Sequence, residues 1–352
     1  MKEVVKTEAG YRAIQLDSSS SLKDFSLDRR KYYKKYVANT PEEDKYNAAV
    51  VTGQIVEILL LEPDRFDDKF YISACDSPPT GLMLAFVEAL YQEAVASMNA
   101  DGEITATFEY MSEEAYKASG FKIAYDTVLK KFSETNAVIY FEELCKIKTY
   151  KLTVVTANEI SNAQKIVEEL QSNSITRAIV NQSNSNRYTV LDQHQVENYT
   201  VDGHLFKSMI DRIIIDHEKK TIQPYDLKCT WSVETFYTEY YLQRRSYIQA
   251  YLYFKACEHL RDLSPDLLDY KVEYLKFIVC DSINYYSPLI YTLSDEDMED
   301  AVVGFDYRGR DYPGVTKIIE DLDWAIENDI WNIGRSAYSE NGVINIKHGR
   351  RS

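Results

Sequence analysis

The sequence predicts an α/β fold with a mixed central sheet of about five strands, placed between residues 190 and 293. Two observations predict it. Short apolar runs, separated by polar turns, crowd this part of the chain and are typical of strands. Longer apolar or amphipathic runs of helical period precede, interrupt and follow them. We therefore expect helices on the sheet and helical additions at both ends of the chain.

The length of 352 residues allows one large domain or two small ones, and we expect one domain over residues 1–352. Its mainly helical N-terminal part spans 1–185, the sheet with one long helix spans 186–293, and C-terminal helices and a tail span 294–352. No apolar run reaches the roughly 20 residues that cross a bilayer, and the N-terminus lacks the apolar core of a signal peptide. We expect a cytoplasmic protein (in the host cytoplasm, if the source is viral) without a membrane partner.

The net charge of −16 argues against a surface covered with basic residues. It does not exclude basic residues that line a channel. The five cysteines are widely spread and include no Cys-x-x-Cys pair, so we interpret them as reduced and mostly buried.

Residues 201–230 are the stretch around which the chain is organised, and they read as three successive strands. Asp211 lies in the second strand, and Asp226 and Lys228 lie in the third. Because side chains alternate along a strand, Asp226 and Lys228 face the same way. A hairpin after residue 216 would bring Asp211 beside Asp226. Carboxylate oxygens suit Mg²⁺ or Mn²⁺, although Asp-x-Lys is also a common solvated surface pair.

A long helix is predicted from Val233 to Cys257, with most of its aromatic residues forming a packed face. Arg245, Gln249 and Tyr253 recur every four residues and so share one side of this helix. A glutamine between an arginine and a tyrosine can orient a ligand, a phosphate or a catalytic carboxylate.

Two N-terminal segments also carry candidate residues. Glu57 is the single charge in the apolar helix predicted over 48–61, so it either has a partner or a metal, or lies on an exposed helix edge. A serine-rich helix start over 17–21 precedes the basic and aromatic octet 29–36. That octet is either a solvated helix with its tyrosines packed inward or a surface that faces DNA.

Asp211, the triplet Asp226-Leu227-Lys228 and the later Gln249-x-x-x-Tyr253 together resemble the PD-(D/E)xK nuclease superfamily, in its RecB, RecE and lambda-exonuclease branch. The resemblance implies a restriction-endonuclease-like core and a single nuclease domain. It also implies a deoxyribonuclease that depends on one or two Mg²⁺ or Mn²⁺ ions.

The roles that the resemblance implies can be assigned residue by residue. The metal ligands would be Glu57, Asp211, Asp226 and the main-chain carbonyl of Leu227. Glu57 would enter through the Gly-x-x-x-Glu form of the family's helix motif, which starts at Gly53. Lys228 would orient the attacking water or stabilise the transition state. The nucleophile or the phosphate would be held by Gln249 and Tyr253.

The resemblance also extends to candidate DNA contacts. The Ser-x-Ser-x-Leu-Lys opening of RecE-like exonucleases is matched by Ser18, Ser20, Leu22 and Lys23. We expect DNA contacts from the following residues: Arg12, Ser18, Ser20, Arg29, Arg30 and Arg245. Some relatives hold an iron–sulfur cluster on closely set cysteines, but here the last three cysteines are 28 and 23 residues apart, so no cluster is expected.

The implied activity is a 5′→3′ exonuclease on linear double-stranded DNA, of the phage recombination type. Such relatives form rings and work with a single-strand annealing protein. The same core also serves structure-specific and restriction-like endonucleases, which are the first alternative. A non-catalytic DNA-binding or assembly protein with this fold is the second. The sequence has no Walker loop, Rossmann fingerprint, Gly-x-Ser-x-Gly or zinc spacing.

Overall fold

The structure is a computed structural model. It describes residues 8–40, 47–75, 77–99, 103–150 and 152–344. The chain falls into two compact units. The first unit comprises the residues up to Leu61 and those from Ala163 onward, and the second comprises Glu62–Asn162. The final residues of the predicted C-terminal tail, from 345, lie outside the described part.

The first unit begins with helices. They are α1 (Glu8–Ala13), α2 (Ser19–Leu27), α3 (Arg29–Tyr32) and α4 (Ala48–Leu61). The serine-rich helix start is confirmed, because Ser18 caps α2 and exchanges hydrogen bonds with Ser21 in a capping box. A π-helical turn over Tyr33–Val37 continues α3.

The second unit is mainly helical and packs its own core around Phe86, Leu90 and Phe132. Its elements are α5 (Phe66–Lys69), β1 (Phe70–Ile72), α6 (Gly81–Ala96), α7 (Phe108–Ser119), α8 (Tyr125–Ser133), α9 (Asn136–Tyr150) and β2 (Thr153–Val155). The two strands form a short parallel pair.

The rest of the chain builds the main sheet and its helices. The elements are α10 (Ala157–Ser172), α11 (Arg177–Val180), β3 (Tyr188–Val201), β4 (His204–Asp216), β5 (Thr221–Thr230), α12 (Ser246–Asp262), β6 (Lys271–Val272), β7 (Lys276–Asp281), β8 (Leu289–Tyr291), α13 (Asp295–Val303), β9 (Gly304–Tyr307), β10 (Arg310–Pro313), α14 (Val315–Asn328) and α15 (Arg335–Ser339). The sheet order is β3-β4-β5-β7-β8, with the short β6 also paired to β5.

This sheet confirms the predicted fold class. Strand β5 runs parallel to β6 and β7, whereas the other neighbours in the main sheet are antiparallel. Apolar residues of β4, such as Phe206 and Ile210, form one core with Leu252 of α12 and Leu322 of α14. Burying one such side chain contributes about 1.5–3 kcal/mol. That packing fixes α12 against the sheet.

The predicted continuous helix from Val233 to Cys257 is wrong. A 3-10 turn over Val233–Thr235 and a π-helical segment over Tyr237–Gln243 come first, and α12 begins only at Ser246. Arg245 interrupts the helical path, because its φ of 54° places it in the left-handed region. Phe236 is fully buried against Phe277, so aromatic packing on the sheet decides the backbone path here.

Two smaller differences lie near the C-terminal end. The strand predicted over 272–281 is divided into β6 and β7. The hairpin β9–β10 was not predicted. It turns through Arg308 and Gly309, both with positive φ, as a tight hairpin turn requires.

Among the described helices, none combines the length and the apolar character that crossing a membrane would require.

Candidate active site

The site lies where strands β4 and β5 part. Their pairing runs from Asp216 with Thr221 to Arg212 with Tyr225, and β5 then continues beside β7 alone. Asp211 is the next residue of β4 beyond the last pair. Its Oδ2 accepts a hydrogen bond of 2.8 Å from the backbone N–H of Leu227. A carboxylate therefore takes the place of a strand carbonyl, and the two strands open into a fork.

Asp226 forms the other side of the fork and is only 1% exposed. Its Oδ1 accepts a hydrogen bond of 2.6 Å from Nε2 of Gln249. Its Oδ2 forms an ion pair with the ammonium of Lys228. Asp211, Asp226 and Lys228 line the same cleft, as the hairpin and the period of two predicted.

Glu57 reaches this cleft from α4. Its Oε1 accepts a hydrogen bond of 2.7 Å from Nε2 of Gln193, so this carboxylate has a partner. Gln193 lies in β3 opposite Asp211, between the pairs Asp192–Arg212 and His194–Ile210. It has a φ of 48°, a strained backbone for a glutamine and a feature that the sequence did not indicate.

Burial and neighbouring charges shift the pKa of two groups in the cleft, Asp211 and Lys228. Burial raises the pKa of Asp211 well above its ordinary value, and the charges of Asp226 and Glu57 raise it further. Burial acts to lower the pKa of Lys228, but the Asp226 and Asp211 carboxylates outweigh it, so this pKa is raised. Lys228 therefore stays a cation at neutral pH.

The Gln249 helix motif braces the site from one side. Oε1 of Gln249 accepts a hydrogen bond of 3.1 Å from Nζ of Lys23. One turn further, the Tyr253 hydroxyl donates a hydrogen bond of 2.7 Å to the carbonyl of Met209. Both side chains are thus engaged by protein atoms, and of the three alternatives for Gln249, orientation of a carboxylate is the one that this geometry shows.

The cleft has a volume of about 800 Å³ and a charge balance opposite to that of the whole chain. Its acidic lining residues are Asp17, Glu57, Asp211 and Asp226. Its basic lining residues are Arg12, Lys23, Lys35, Lys207, Lys228 and Arg244. A cleft with excess positive charge attracts anions even in a protein of net charge −16.

Lys207, which sequence reasoning missed, fastens one wall of the cleft. Its Nζ donates hydrogen bonds to the carbonyls of Tyr11 (2.8 Å), Ile14 (2.8 Å) and Arg12 (3.4 Å), at the end of α1. Three carbonyl acceptors satisfy a buried ammonium and also hold the last turn of that helix.

The predicted DNA contacts fall in different places. Arg12, Ser18 and Ser20 line the cleft, although the Ser18 hydroxyl is engaged in capping α2. Arg29 and Arg30 line a separate shallow groove. The guanidinium of Arg29 lies 5.7 Å from the centre of the Phe25 ring, and Arg30 is exposed beside Asp28.

The predicted position of Arg245 on the helix face with Gln249 is wrong, because Arg245 precedes α12 in a left-handed conformation. It does not line the cleft, and its buried Nη1 has no hydrogen-bond partner among the residues that the structure describes. Its neighbour Arg244 does line the cleft, with its guanidinium 4.2 Å from the centre of the Tyr240 ring. Sequence reasoning missed Arg244, and the break before α12 explains why.

The residues of the fork fit a divalent cation that prefers oxygen ligands. Asp211, Asp226 and Glu57 are hard oxygen donors that line one cleft. No group of three His, Cys, Asp or Glu side chains within the described ranges is already arranged to hold a metal ion. In this arrangement the Lys228 ammonium provides the positive charge next to Asp226.

Comparison with known proteins identifies no family. No protein-family model matches the sequence, and no curated protein matches it. Among solved structures, the chain is similar to the crystal structure of a "Putative exonuclease" from Eubacterium rectale, with a TM-score of 0.46 and 12% sequence identity over 97% of this chain and 94% of that one. A likeness this distant carries no argument, so function must be argued from the residues of the cleft.

Proposed function

We propose that this protein is a metal-dependent deoxyribonuclease that hydrolyses phosphodiester bonds. The observation that carries the proposal is the fork, which gathers Asp211, Asp226 and Lys228 in a cleft with excess positive charge. The buried carboxyl group of Asp211, whose pKa is raised, lies in one cleft with the buried Asp226 and with Lys228, and burying such groups costs free energy of folding. They are typical of sites that bind a cation and a phosphate rather than of structural ion pairs.

The ligands for Mg²⁺ or Mn²⁺ would be Asp211, Asp226 and Glu57, with the main-chain carbonyl of Leu227. The bound ion would supply an acidified water and neutralise charge on the scissile phosphate. The side chains of Gln249 and Lys228 would act together with this ion. Gln249 holds Asp226 in one orientation through Nε2. The Lys228 ammonium would orient the attacking water or stabilise negative charge on the phosphate in the transition state.

The substrate would be double-stranded DNA, steered by the basic lining of the cleft. Arg244, Lys35 and Arg12 stand on its walls, where they can pair with backbone phosphates. The remaining contacts that we propose are Ser18, Ser20, Arg29 and Arg30, of which the two arginines do not line the cleft. Arg245 does not line the cleft either, and we assign the DNA contact expected of it to its neighbour Arg244.

Degradation of linear DNA from the 5′ end, in recombination or DNA processing, is the form of the activity that we propose. This part comes from the resemblance of the Asp226-Leu227-Lys228 and Gln249-x-x-x-Tyr253 motifs to RecE-like and lambda-type exonucleases. A ring-shaped homo-oligomer and a single-strand annealing partner are proposed on the same basis.

The experiment is incubation of the purified protein with linear duplex DNA, with and without a 5′-phosphate, and with closed circular DNA, in Mg²⁺, Mn²⁺ or EDTA. We expect metal-dependent loss of label from the 5′ ends of linear DNA only. Asp226→Ala and Lys228→Ala are expected to abolish it with the fold intact. Cleavage of closed circles would instead indicate an endonuclease, and DNA binding without cleavage would indicate an assembly protein. Cleavage that persists in both variants would refute the assignment of the site.

A further inference from the structure

Lys23 forms the first link of a chain of contacts that ends at the buried acid of the site. It lies on α2, and its ammonium donates to Oε1 of Gln249 at 3.1 Å. The other end of the same amide donates to Oδ1 of Asp226 at 2.6 Å. Two helices far apart in sequence thus meet through one glutamine, which is itself 5% exposed.

The orientation of the Gln249 amide is fixed by its two neighbours. If it were rotated by half a turn, Nε2 would face the Lys23 ammonium and Oε1 would face the Asp226 carboxylate. Donor would then meet donor and acceptor would meet acceptor. The ammonium therefore determines which end of the amide Asp226 receives. A cation on Oε1 also polarises the amide and strengthens the hydrogen bond from Nε2.

Burial of the Lys23 ammonium costs free energy of folding, which indicates that this residue has a role in the site. Within the described part of the chain its ammonium forms no ion pair, and its hydrogen bond is to the neutral amide of Gln249. Burial lowers the pKa of Lys23 to about 8, and the nearby charge of Lys228 contributes to the shift. A lysine that only packed against the protein would be more stable with its amine in water.

We propose that Lys23 is a positioning residue of the reaction, which acts through Gln249 to hold Asp226 in its productive orientation. This inference deepens the proposed nuclease function and depends on it. It assigns Lys23 to the orientation of an acid, whereas Lys35 and Arg244 on the cleft walls are assigned to phosphate binding.

The test is a mutant cycle on the full chain with linear duplex DNA and Mg²⁺. The variants are Lys23→Met, Lys23→Arg, Gln249→Leu and the double variant Lys23→Met with Gln249→Leu. Lys35→Met is the matched contrast, because it removes a cleft-wall lysine that contacts Asp24 instead of Gln249. Circular dichroism and thermal melting establish that each variant is folded. If Lys23→Met fails to fold, Lys23→Gln takes its place.

We expect Lys23→Met to lower kcat about 10- to 100-fold, as loss of an outer-shell partner does, with KM changed by less than about threefold. Lys23→Arg retains most of kcat, because a guanidinium can still donate to Oε1. The double variant is no slower than Gln249→Leu, because both changes break the same chain. Lys35→Met raises KM and leaves kcat unchanged.

Two results would overturn the inference while the nuclease function stands. One is a Lys23→Met effect confined to KM, which would make Lys23 a DNA contact. The other is a double variant whose loss is the product of the two single losses, which would show that Lys23 does not act through Gln249. An inactive wild-type protein would instead overturn the proposed function, and this inference with it.

Discussion

The Tyr253 hydroxyl is hydrogen-bonded to the carbonyl of Met209, two residues before Asp211 in β4. One turn earlier on the same helix, Gln249 holds Asp226 in β5. Helix α12 thus braces both arms of the fork, and the Gln-x-x-x-Tyr spacing equals the helical turn that makes this possible. Loss of either contact is expected to make the distance between the Asp211 and Asp226 carboxylates more variable.

Tyr253→Phe tests this brace. We expect the free energy of unfolding to fall by about 1 kcal/mol, since one buried hydrogen bond is lost, and kcat to fall while KM is kept. Urea unfolding and steady-state cleavage measure the two effects. Tyr251→Phe on the same helix is the control, because Tyr251 does not line the cleft. An equal loss of kcat in both variants would contradict the brace.

Asp211→Asn is expected to lower the cleavage activity and to raise the stability of the fold. The neutral amide can still accept from the Leu227 N–H, so the fork is kept, but the buried charge is gone. We expect cleavage to fall at least about 100-fold and the free energy of unfolding at pH 7 to rise by about 1 kcal/mol. Added Mg²⁺ is expected to raise the melting temperature of the wild type but not of this variant.

The gain in stability expected for Asp211→Asn depends on pH in a definite direction. Burial and the charges of Asp226 and Glu57 raise the folded-state pKa of Asp211. Such a group stabilises the folded state below its unfolded pKa, and that contribution is lost as the pH rises through the folded pKa. The advantage of Asp211→Asn is therefore expected to shrink from pH 7 to pH 5, as thermal melting would show. An advantage that grows on acidification would contradict the raised pKa.

Arg244 and Arg245 form a matched pair, adjacent in sequence and different in position. Arg244→Gln is expected to raise KM for DNA and to reduce the salt dependence of binding by about one charge. Arg245→Gly is expected to leave KM and the salt dependence unchanged, because Arg245 does not line the cleft and glycine accepts the left-handed backbone. Steady-state cleavage measures KM, and fluorescence anisotropy over a series of salt concentrations measures the salt dependence of DNA binding. Weaker DNA binding by Arg245→Gly would contradict the assignment of the DNA contact to Arg244.

Asp216 is expected to dominate acid sensitivity at the β4–β5 turn. Arg187 donates to it from Nη2 at 2.9 Å, the backbone N–H groups of Glu218 and Lys219 add two further hydrogen bonds, and together these lower its pKa to about 2. A depressed carboxyl pKa stabilises the folded state above the unfolded value of 3.8, and the effect is lost as the pH falls through 2.

Asp216→Asn is therefore expected to lower the free energy of unfolding by about 1 kcal/mol at pH 7. The effect is modest because Arg187 is partly in water. The difference from wild type narrows between pH 4 and pH 2, as measured by urea unfolding. A difference that is constant over this range would show that the charge of Asp216 is not involved.

The two acids and the lysine of the fork could be predicted because their signal is local. Asp226 and Lys228 follow from the period of two along a strand, and Asp211 follows from a short hairpin. By contrast, contacts across the fold determine the roles of Lys23, Gln193 and Lys207. Lys23 belongs to a serine-rich motif, but the sequence around Gln193 and Lys207 contains no signal that would identify them. The left-handed backbone at Arg245 is also a tertiary effect, since arginine has no local preference for it.

The hydrogen bond between Lys23 and Gln249 joins residues 226 positions apart in the chain. During synthesis the ribosome delivers Lys23 and Glu57 long before Asp226, Lys228 and Gln249. A product that terminates before residue 226 therefore lacks Asp226, Lys228 and Gln249, three residues to which the proposed activity is assigned. Proteins with many contacts of long sequence separation also fold more slowly. A nascent or prematurely terminated chain is therefore not expected to show the proposed nuclease activity.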